Sequence, residues 1–389
     1  MRIFSYLLIA LVVFIVFSCE NRELTYLNIV KDGTFAWEEK EPCMIIYSDS
    51  KNSAAIIGKI KCRGGVSSKY YKHSFSIELE RKYSFRNLPY DDDWIINANY
   101  IDKTFMRHKI SYDLFSEMST TNIASKSSYI NLSINDVYEG LYVLMEQINA
   151  SMIGLNKKDT LAMLFKDPPI FTKKKMKYIK DSTNYYQQKF PKINNSDKTY
   201  YLEKFKDFLF SSTNNQFSKE VYNWVDIENV IDWHIILLLT NNGDGIMKNF
   251  YLYKLDEKTP FRFAIWDYDH SFGREGDNEI NLIKELNCNR SILLERLSNI
   301  SEIGYLQKLK SRWFNLRRKN IISIENFEKH IINNDKVING HIKKNFIKWP
   351  VNSKWYYDDN DYLQELDLMR DYIRIRVNQL DKYFNLLNT

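Results

Sequence analysis

Two neighbouring stretches, NNGDGIMKNFYLY at Asn241–Tyr253 and FRFAIWDYDHSFG at Phe261–Gly273, decide how this chain reads. Asp244 and Asn249 form D-x4-N, and Asp267 then opens D-x-D-x-x-F-G. Phosphoryl transfer from a nucleotide uses that order of groups. One aspartate accepts the proton of the attacking hydroxyl, the asparagine holds a magnesium ion, and a later aspartate holds the metal that bridges the phosphates. Such a hard cation takes oxygen ligands. Asp and Asn also mark ordinary turns, because their side chains bond nearby backbone, so D-x4-N by itself is a weak signal. Its surroundings give it weight. Ile227–Thr240 is a strongly apolar helix with Asp226 as its N-cap, ending at Asn241-Asn242-Gly243. Two strand-like runs follow, Phe250–Leu255 and Phe261–Trp266, joined by a polar turn ending in Pro260. Helix, catalytic loop, hairpin and metal loop therefore arrive in the order of a kinase C-lobe.

The string IWDYDHSFG, with KNFYLYK before it, is similar to the signature of the CotH-type spore-coat kinase family. Three further stretches fit that pattern in order and spacing: Ile60–Leu79 (IKCRGGVSSKYYKHSFSIEL), Leu88–Phe115 (LPYDDDWIINANYIDKTFMRHKISYDLF) and Tyr129–Asn149 (YINLSINDVYEGLYVLMEQIN). The likeness runs from Ile45 to the C-terminus. It implies an α+β, atypical protein-kinase-like fold of two lobes. It further implies binding of ATP with Mg2+ or Mn2+ and phosphorylation of Ser or Thr hydroxyls on a protein substrate. On that resemblance Asp244 is the catalytic base, Asn249 and Asp267 hold metal, and Lys72, which starts the K-x-S-F-x-I-x-L strand, holds phosphates. The family commonly has two adjacent basic residues there, whereas here His73 follows Lys72.

Other candidates carry two readings each. Arg63-Gly64-Gly65-Val66-Ser67-Ser68 joins two strand-like segments; its glycines let backbone N–H groups approach an anion, and a Gly-Gly turn also serves any hairpin. Glu146 ends the strand LYVLMEQ, either as a nucleotide-site acid or as an acid favoured by a helix N-terminus. Asp269 lies two residues past Asp267, on the same face of an extended strand, as a second metal ligand or a turn former. Asp91-Asp92-Asp93 reads as a solvated turn, and the resemblance puts it outside the metal site. Neither G-x-G-x-x-G nor G-x4-G-K-[ST] occurs, so a standard kinase glycine loop and a P-loop are unsupported.

Residues 1–18 form a targeting segment: Arg2 is the positive start and Ile3–Phe17 is almost wholly apolar. Val16-Phe17-Ser18-Cys19 resembles a lipobox, so Cys19 is expected to carry a lipid anchor to a membrane of the bacterial cell envelope, on the periplasmic face or cell surface. Residues 19–42 read as a tether. Residues 43–389 form the kinase-like domain, with an N-lobe over 43–149 and a C-lobe over 150–389. Cys43, Cys62 and Cys288 remain. Cys43 and Cys62 either pair across neighbouring strands or serve as small buried hydrophobes. The net charge of +6 is mild and its lysines are interspersed with acids, so nucleic acid is not an expected partner. The basic run Lys173-Lys174-Lys175 reads as a solvated face, or more sharply as a contact for an acidic substrate.

Helices are expected over Asp102–Met118, Tyr200–Phe210, Asp226–Thr240, Ser291–Leu297, Glu302–Arg318, Ile324–Ile332 and Tyr362–Leu387. Asn135-Asp136 marks a hairpin between Tyr129–Ile134 and Tyr138–Met145. Two other functions compete with phosphoryl transfer: a non-catalytic ligand-binding lipoprotein on the same fold, and a glycosidase pairing Asp267 with Asp244 or Glu146. The leader generates the first prediction. Cys19→Ser should move the protein from the membrane fraction to the soluble one. Unchanged fractionation, with no acyl mass on the N-terminal peptide, would refute lipidation.

Overall fold

The computed structural model describes residues 24–173, 184–275, 282–350 and 359–387. Cys19, the leader and Lys174-Lys175 lie outside the described residues. The chain is an α+β protein, with a β-rich N-terminal region and a mainly helical C-terminal region.

Seven strands make the first region: β1 (Thr25–Val30), β2 (Glu41–Ser48), β3 (Ser53–Arg63), β4 (Ser74–Tyr83), β5 (Asp91–Asn97), β6 (Ser127–Ile134) and β7 (Val137–Glu146). They close into a barrel in the order β1-β2-β3-β4-β5-β7-β6. Neighbours are antiparallel except at the seam, where β1 runs parallel to β6 from Thr25↔Ile130 to Ile29↔Ile134. Alternation of side chains along each strand sends Leu27, Ile29, Ile45, Tyr47, Ile60, Ile77, Trp94 and Leu132 inward to one apolar core. Closure satisfies the strand edges that an open sheet would leave bare. The β6–β7 turn has Asn135 at φ 48° and Asp136 at φ 64°, the left-handed pair that a tight hairpin requires.

One expectation is corrected here and one open alternative is decided. Residues 19–42 are not simply a tether: Thr25–Val30 is the barrel's seam strand, paired with the next strand β2 on one side and with β6, a hundred residues on, on the other. Cys43 and Cys62 do not pair. The β2–β3 register sets Cys43 opposite Gly58, and Cys43, Cys62 and Cys288 are buried free thiols.

The second region contains α1 (Arg107–Met118), α2 (Thr199–Ser211), α3 (Asn214–Trp224), α4 (Ile227–Thr240), α5 (Ile292–Asn299), α6 (Tyr305–Arg318), α7 (Ile324–Lys348) and α8 (Tyr362–Leu386). Strands β8 (Met163–Lys166), β9 (Gln188–Phe190), β10 (Phe250–Lys254) and β11 (Arg262–Ile265) form a sheet in the order β11-β10-β8-β9. Helix α4 is buried nearly all round, as its uniformly apolar sequence requires, and the Asp226 side chain caps it on the Asn229 N–H. Helix α1 begins at Arg107 rather than Asp102, because the Asp102 carboxylate holds a turn there by accepting the Thr104 and Arg107 N–H groups. Helix α3 was hidden in a polar, Asn-rich stretch; Thr213 caps it and buried Phe217 and Val221 supply its spacing. Helix α7 runs well past Ile332, to Lys348, on a stripe that includes Phe327, Ile331, Ile338 and Ile342. Among the described residues no helix is long and apolar enough to cross a membrane.

The seam strand can be tested directly. Ile29 is fully buried, so Ile29→Ala should lower stability by about 2–5 kcal/mol, read from urea unfolding. A change within about 0.5 kcal/mol, as expected of an exposed segment, would contradict a barrel closed by β1.

Candidate active site

A cleft of about 770 Å³ lies where the β3–β4 connection faces the β10–β11 hairpin and the loop beyond it. Asp244, Asn249, Asp267, Asp269, Arg63 and Lys72 all border it. Residues far apart in sequence, read as candidates for different tasks, thus share one cavity.

The loop after β11 is held by an unusual density of bonds. Asp267 sits at φ 60°, a conformation that costs energy for a residue with a Cβ. Its N–H donates to the Tyr112 hydroxyl at 2.9 Å. Its carbonyl accepts Nδ2 of Asn249 at 3.0 Å and Nδ2 of Asn242 at 3.2 Å. A carbonyl oxygen only accepts, so these contacts fix both amide orientations. Asn249 is thereby left with Oδ1 as its remaining polar atom. Asn242 turns its Oδ1 to the Gly245 N–H at 2.9 Å, tying the Asp244 turn to the Asp267 loop.

The Asp267 side chain is 51% exposed, opening on the cleft. Although that edge meets solvent, the protein wall around it strips water from the carboxyl, and together with the adjacent Asp269 carboxylate this pushes its pKa up. For Asp269 burial also acts upward, but nearby groups, His270 first among them, more than offset it and hold that carboxyl below its usual range. Two carboxylates this close resist being charged together. His108 Nε2 stands 3.8 Å from Asp267 Oδ1, and one potential ligand atom from each of His108, Asp267 and Asp269 lies within 4.8 Å of the others. The two carboxylates and an amide oxygen have the chemistry of a hard divalent cation site, and a bound cation would let both carboxylates ionise. The residues present therefore fit Mg2+ or Mn2+.

Behind the loop lies a buried ionic network. Arg107 is 1% exposed. It donates to Asp102 Oδ1 at 2.7 Å, to the Ser271 carbonyl at 3.0 Å and to Glu365 Oε2 at 3.0 Å. Glu365, on α8, is also paired with Arg274. Burial pushes the Glu365 carboxyl up, and the two arginines outweigh it, so it stays ionised below its ordinary range.

Not every expected residue serves as expected. Lys72 lines the cleft, but its ammonium is 2.9 Å from the Ala98 carbonyl and 3.2 Å from Asn345 Oδ1, and also donates to the Leu141 carbonyl. Burial drives its pKa well below the lysine range, only partly countered by Glu139. It joins α7 to the barrel and has no donor left over for phosphate. Glu146 is outside the cleft: β5–β7 pairing sets it opposite Trp94, and its Oε2 accepts the Lys126 N–H at 2.8 Å. Asp244 pairs with Lys248 at 3.0 Å, both partly exposed. Arg63 and Lys166 take up the cationic side, 5.6 and 6.0 Å from the centre of the Trp266 ring. Lys166 and Asp167 were missed, since a single FKD at the end of a short strand carries no distinguishing signal. His108 was missed because it sits inside a helix, far from the motif.

Comparison with known proteins identifies the family. Residues 60–380 match the family described as CotH kinase protein, and the chain belongs to that family. The chain is also 26% identical over 218 residues to the inner spore coat protein H of Bacillus subtilis (strain 168). That likeness covers 56% of this chain and 59% of the relative's length.

The network makes a stability prediction. Arg107→Met strands the buried Asp102 carboxylate and leaves Glu365 with Arg274 as its one remaining arginine, and should cost about 3–5 kcal/mol in urea unfolding. In the wild type, Glu365 is held below its ordinary 4.5. Its contribution is therefore full above that pH and is lost as pH falls through the lower folded value. A variant as stable as the wild type at neutral pH would show that the network does not hold the loop.

Proposed function

We propose that this chain is an ATP-dependent phosphotransferase of atypical protein-kinase type, acting on Ser or Thr hydroxyls of a protein outside the cytoplasm. The barrel and the helical region are read as the two lobes, and Cys19 as the lipid anchor to the envelope. The observation that carries this reading is the convergence of Asp244, Asn249, Asp267 and Asp269 on one cleft with Arg63 and Lys166.

Each residue has a task that its surroundings suit. Asp267 and Asp269, with Asn249 through its Oδ1, would hold Mg2+ or Mn2+. The ion, when bound, neutralises charge on the phosphates. Arg63 and Lys166 supply fixed positive charge, the part first expected of Lys72. Asp244 accepts the proton of the attacking hydroxyl at the open side of the cleft. Its pairing with Lys248 at 3.0 Å orients the carboxylate. The N–H groups around Gly64-Gly65 and the Ser67 hydroxyl are donors for phosphate oxygens. Work of this kind is mostly positioning and electrostatic stabilisation.

One observation favours the second reading, a non-catalytic ligand-binding protein: Lys72 is engaged by carbonyls rather than directed to the cleft. The glycosidase reading loses one of its pairings, since Glu146 lies away from Asp267. The relative's name places that protein in a spore coat; a surface-layer protein substrate is the corresponding class for this chain.

Calorimetric titration of ATP into residues 20–389, with and without Mg2+ or Mn2+, separates these readings. Asp267→Ala should abolish metal-dependent binding; equal affinity in the variant would remove Asp267 from the site. Asp244→Asn should leave binding intact and slow transfer of labelled γ-phosphate by roughly 10²–10⁴-fold. Binding without transfer in the wild type, under either metal, would establish the ligand-binding protein instead.

A further inference from the structure

His108 belongs by position to the cluster with Asp267 and Asp269, and a histidine beside two carboxylates invites assignment as a third metal ligand. Its hydrogen bonds argue otherwise. The backbone N–H of Tyr268 donates to His108 Nδ1 at 2.9 Å. A backbone amide has only a proton to offer, so Nδ1 presents its lone pair there. The Tyr112 hydroxyl, 3.3 Å away, shares that same nitrogen. In a neutral imidazole the proton then resides on Nε2. Coordination of a metal through Nε2 would require removing this proton while Nδ1 still accepts from Tyr268, leaving an imidazolate. A hard cation already offered two carboxylates and an amide oxygen has no need of that costly ligand. Rotating the ring to expose Nδ1 would orphan the buried Tyr268 N–H.

What remains is a donor. Nε2–H borders the cleft, 3.8 Å from Asp267 Oδ1, beyond hydrogen-bond range. We infer that His108 is a phosphate-positioning donor: its Nε2–H hydrogen-bonds a terminal phosphate oxygen of the bound nucleotide, while Nδ1 fixes the backbone between the two carboxylates. This inference rests on the phosphotransferase reading for its ligand and on the Tyr268 contact for its tautomer. It divides the cluster into two carboxylates for the cation and one imidazole for the anion that the cation brings in. The helix supplies the rigidity: His108 lies in the first turn of α1, next to Arg107, whose guanidinium grips the Ser271 carbonyl of the same loop.

The test uses residues 20–389 labelled with ¹⁵N-histidine. Long-range ¹H–¹⁵N correlation spectra report the tautomer, with the His108 signal identified by its loss in His108→Asn. The expected result is protonation at Nε2 that persists when Mg2+ is added alone. A downfield shift of the Nε2 proton should follow when Mg2+ is joined by a non-hydrolysable ATP analogue. Loss of that proton on adding Mg2+, or an Nδ1-protonated ring, overturns the inference.

His108→Asn retains an acceptor near Nδ1 and removes the Nε2 donor. Its affinity for Mn2+ alone should stay within about threefold of wild type. Its rate of phosphate transfer should fall roughly tenfold to a hundredfold, the usual effect of losing one hydrogen bond to a charged group. A parallel collapse of Mn2+ affinity would make His108 a ligand after all, and an unchanged rate would remove it from the reaction. If the wild type binds the nucleotide and transfers nothing, the kinase reading fails by itself. The tautomer and the nucleotide-induced shift then still decide whether His108 holds the phosphate.

Discussion

Arg107 is the constraint on which the rest of this structure depends. A guanidinium sealed from water is tolerable only when its charge and donors are matched. Asp102 and Glu365 supply two negative charges, Arg107 and Arg274 two positive ones, and the Ser271 carbonyl takes a further donor. This neutral cluster draws together the start of α1, the loop after β11 and the start of the final helix. Once those are fixed, Asp267 cannot move far. Its strained φ is held by Tyr112 on one side and by two asparagine amides on the other. The strain is thus sustained by neighbours and would not survive in an isolated loop.

A second junction ties the barrel to the helices, and it explains an apparent misfit. Lys72 spends its donors on the Ala98 and Leu141 carbonyls and on Asn345 of α7. Gly140 makes room for this. At φ 137° it occupies a conformation closed to other residues, and a Cβ there would lie 2.9 Å from Asn345 Oδ1 and 3.2 Å from Lys72 Cε. Trp349 Nε1 adds a bond to the Glu139 carbonyl at 2.6 Å. A lysine that reads as a phosphate ligand is, in the folded chain, a bolt between two regions.

The cleft between these junctions is electrostatically unfinished without ligands. Two carboxylates crowd at its floor: the surrounding protein and Asp269 push Asp267 up in proton affinity, while nearby groups led by His270 hold Asp269 down. Cationic side chains gather at the Trp266 ring. The proposed function rests on this arrangement, because a divalent ion bound together with a polyphosphate would match both halves at once.

Local signals fixed much of this protein before any fold was known. Helix α4, its Asp226 cap, the β10–β11 hairpin and the Asn135-Asp136 turn depend on neighbours in sequence, and the D-x4-N and D-x-D-x-x-F-G spacings placed Asp244, Asn249, Asp267 and Asp269 on connected loops. Tertiary structure alone decided the remainder. Thr25–Val30 is a strand because β2 and β6 flank it, and nothing in its own six residues requires that. Helix α3 gains its stability from burying Phe217 and Val221 against distant residues, which overrides its polar composition. Lys72 and Glu146 carry the right charges at plausible positions, but the direction of a side chain and the identity of its partners are set by packing. His108 entered the cleft for the same reason: a helical turn more than a hundred residues from the motif was brought against it by a buried arginine, a relation with no trace in linear spacing.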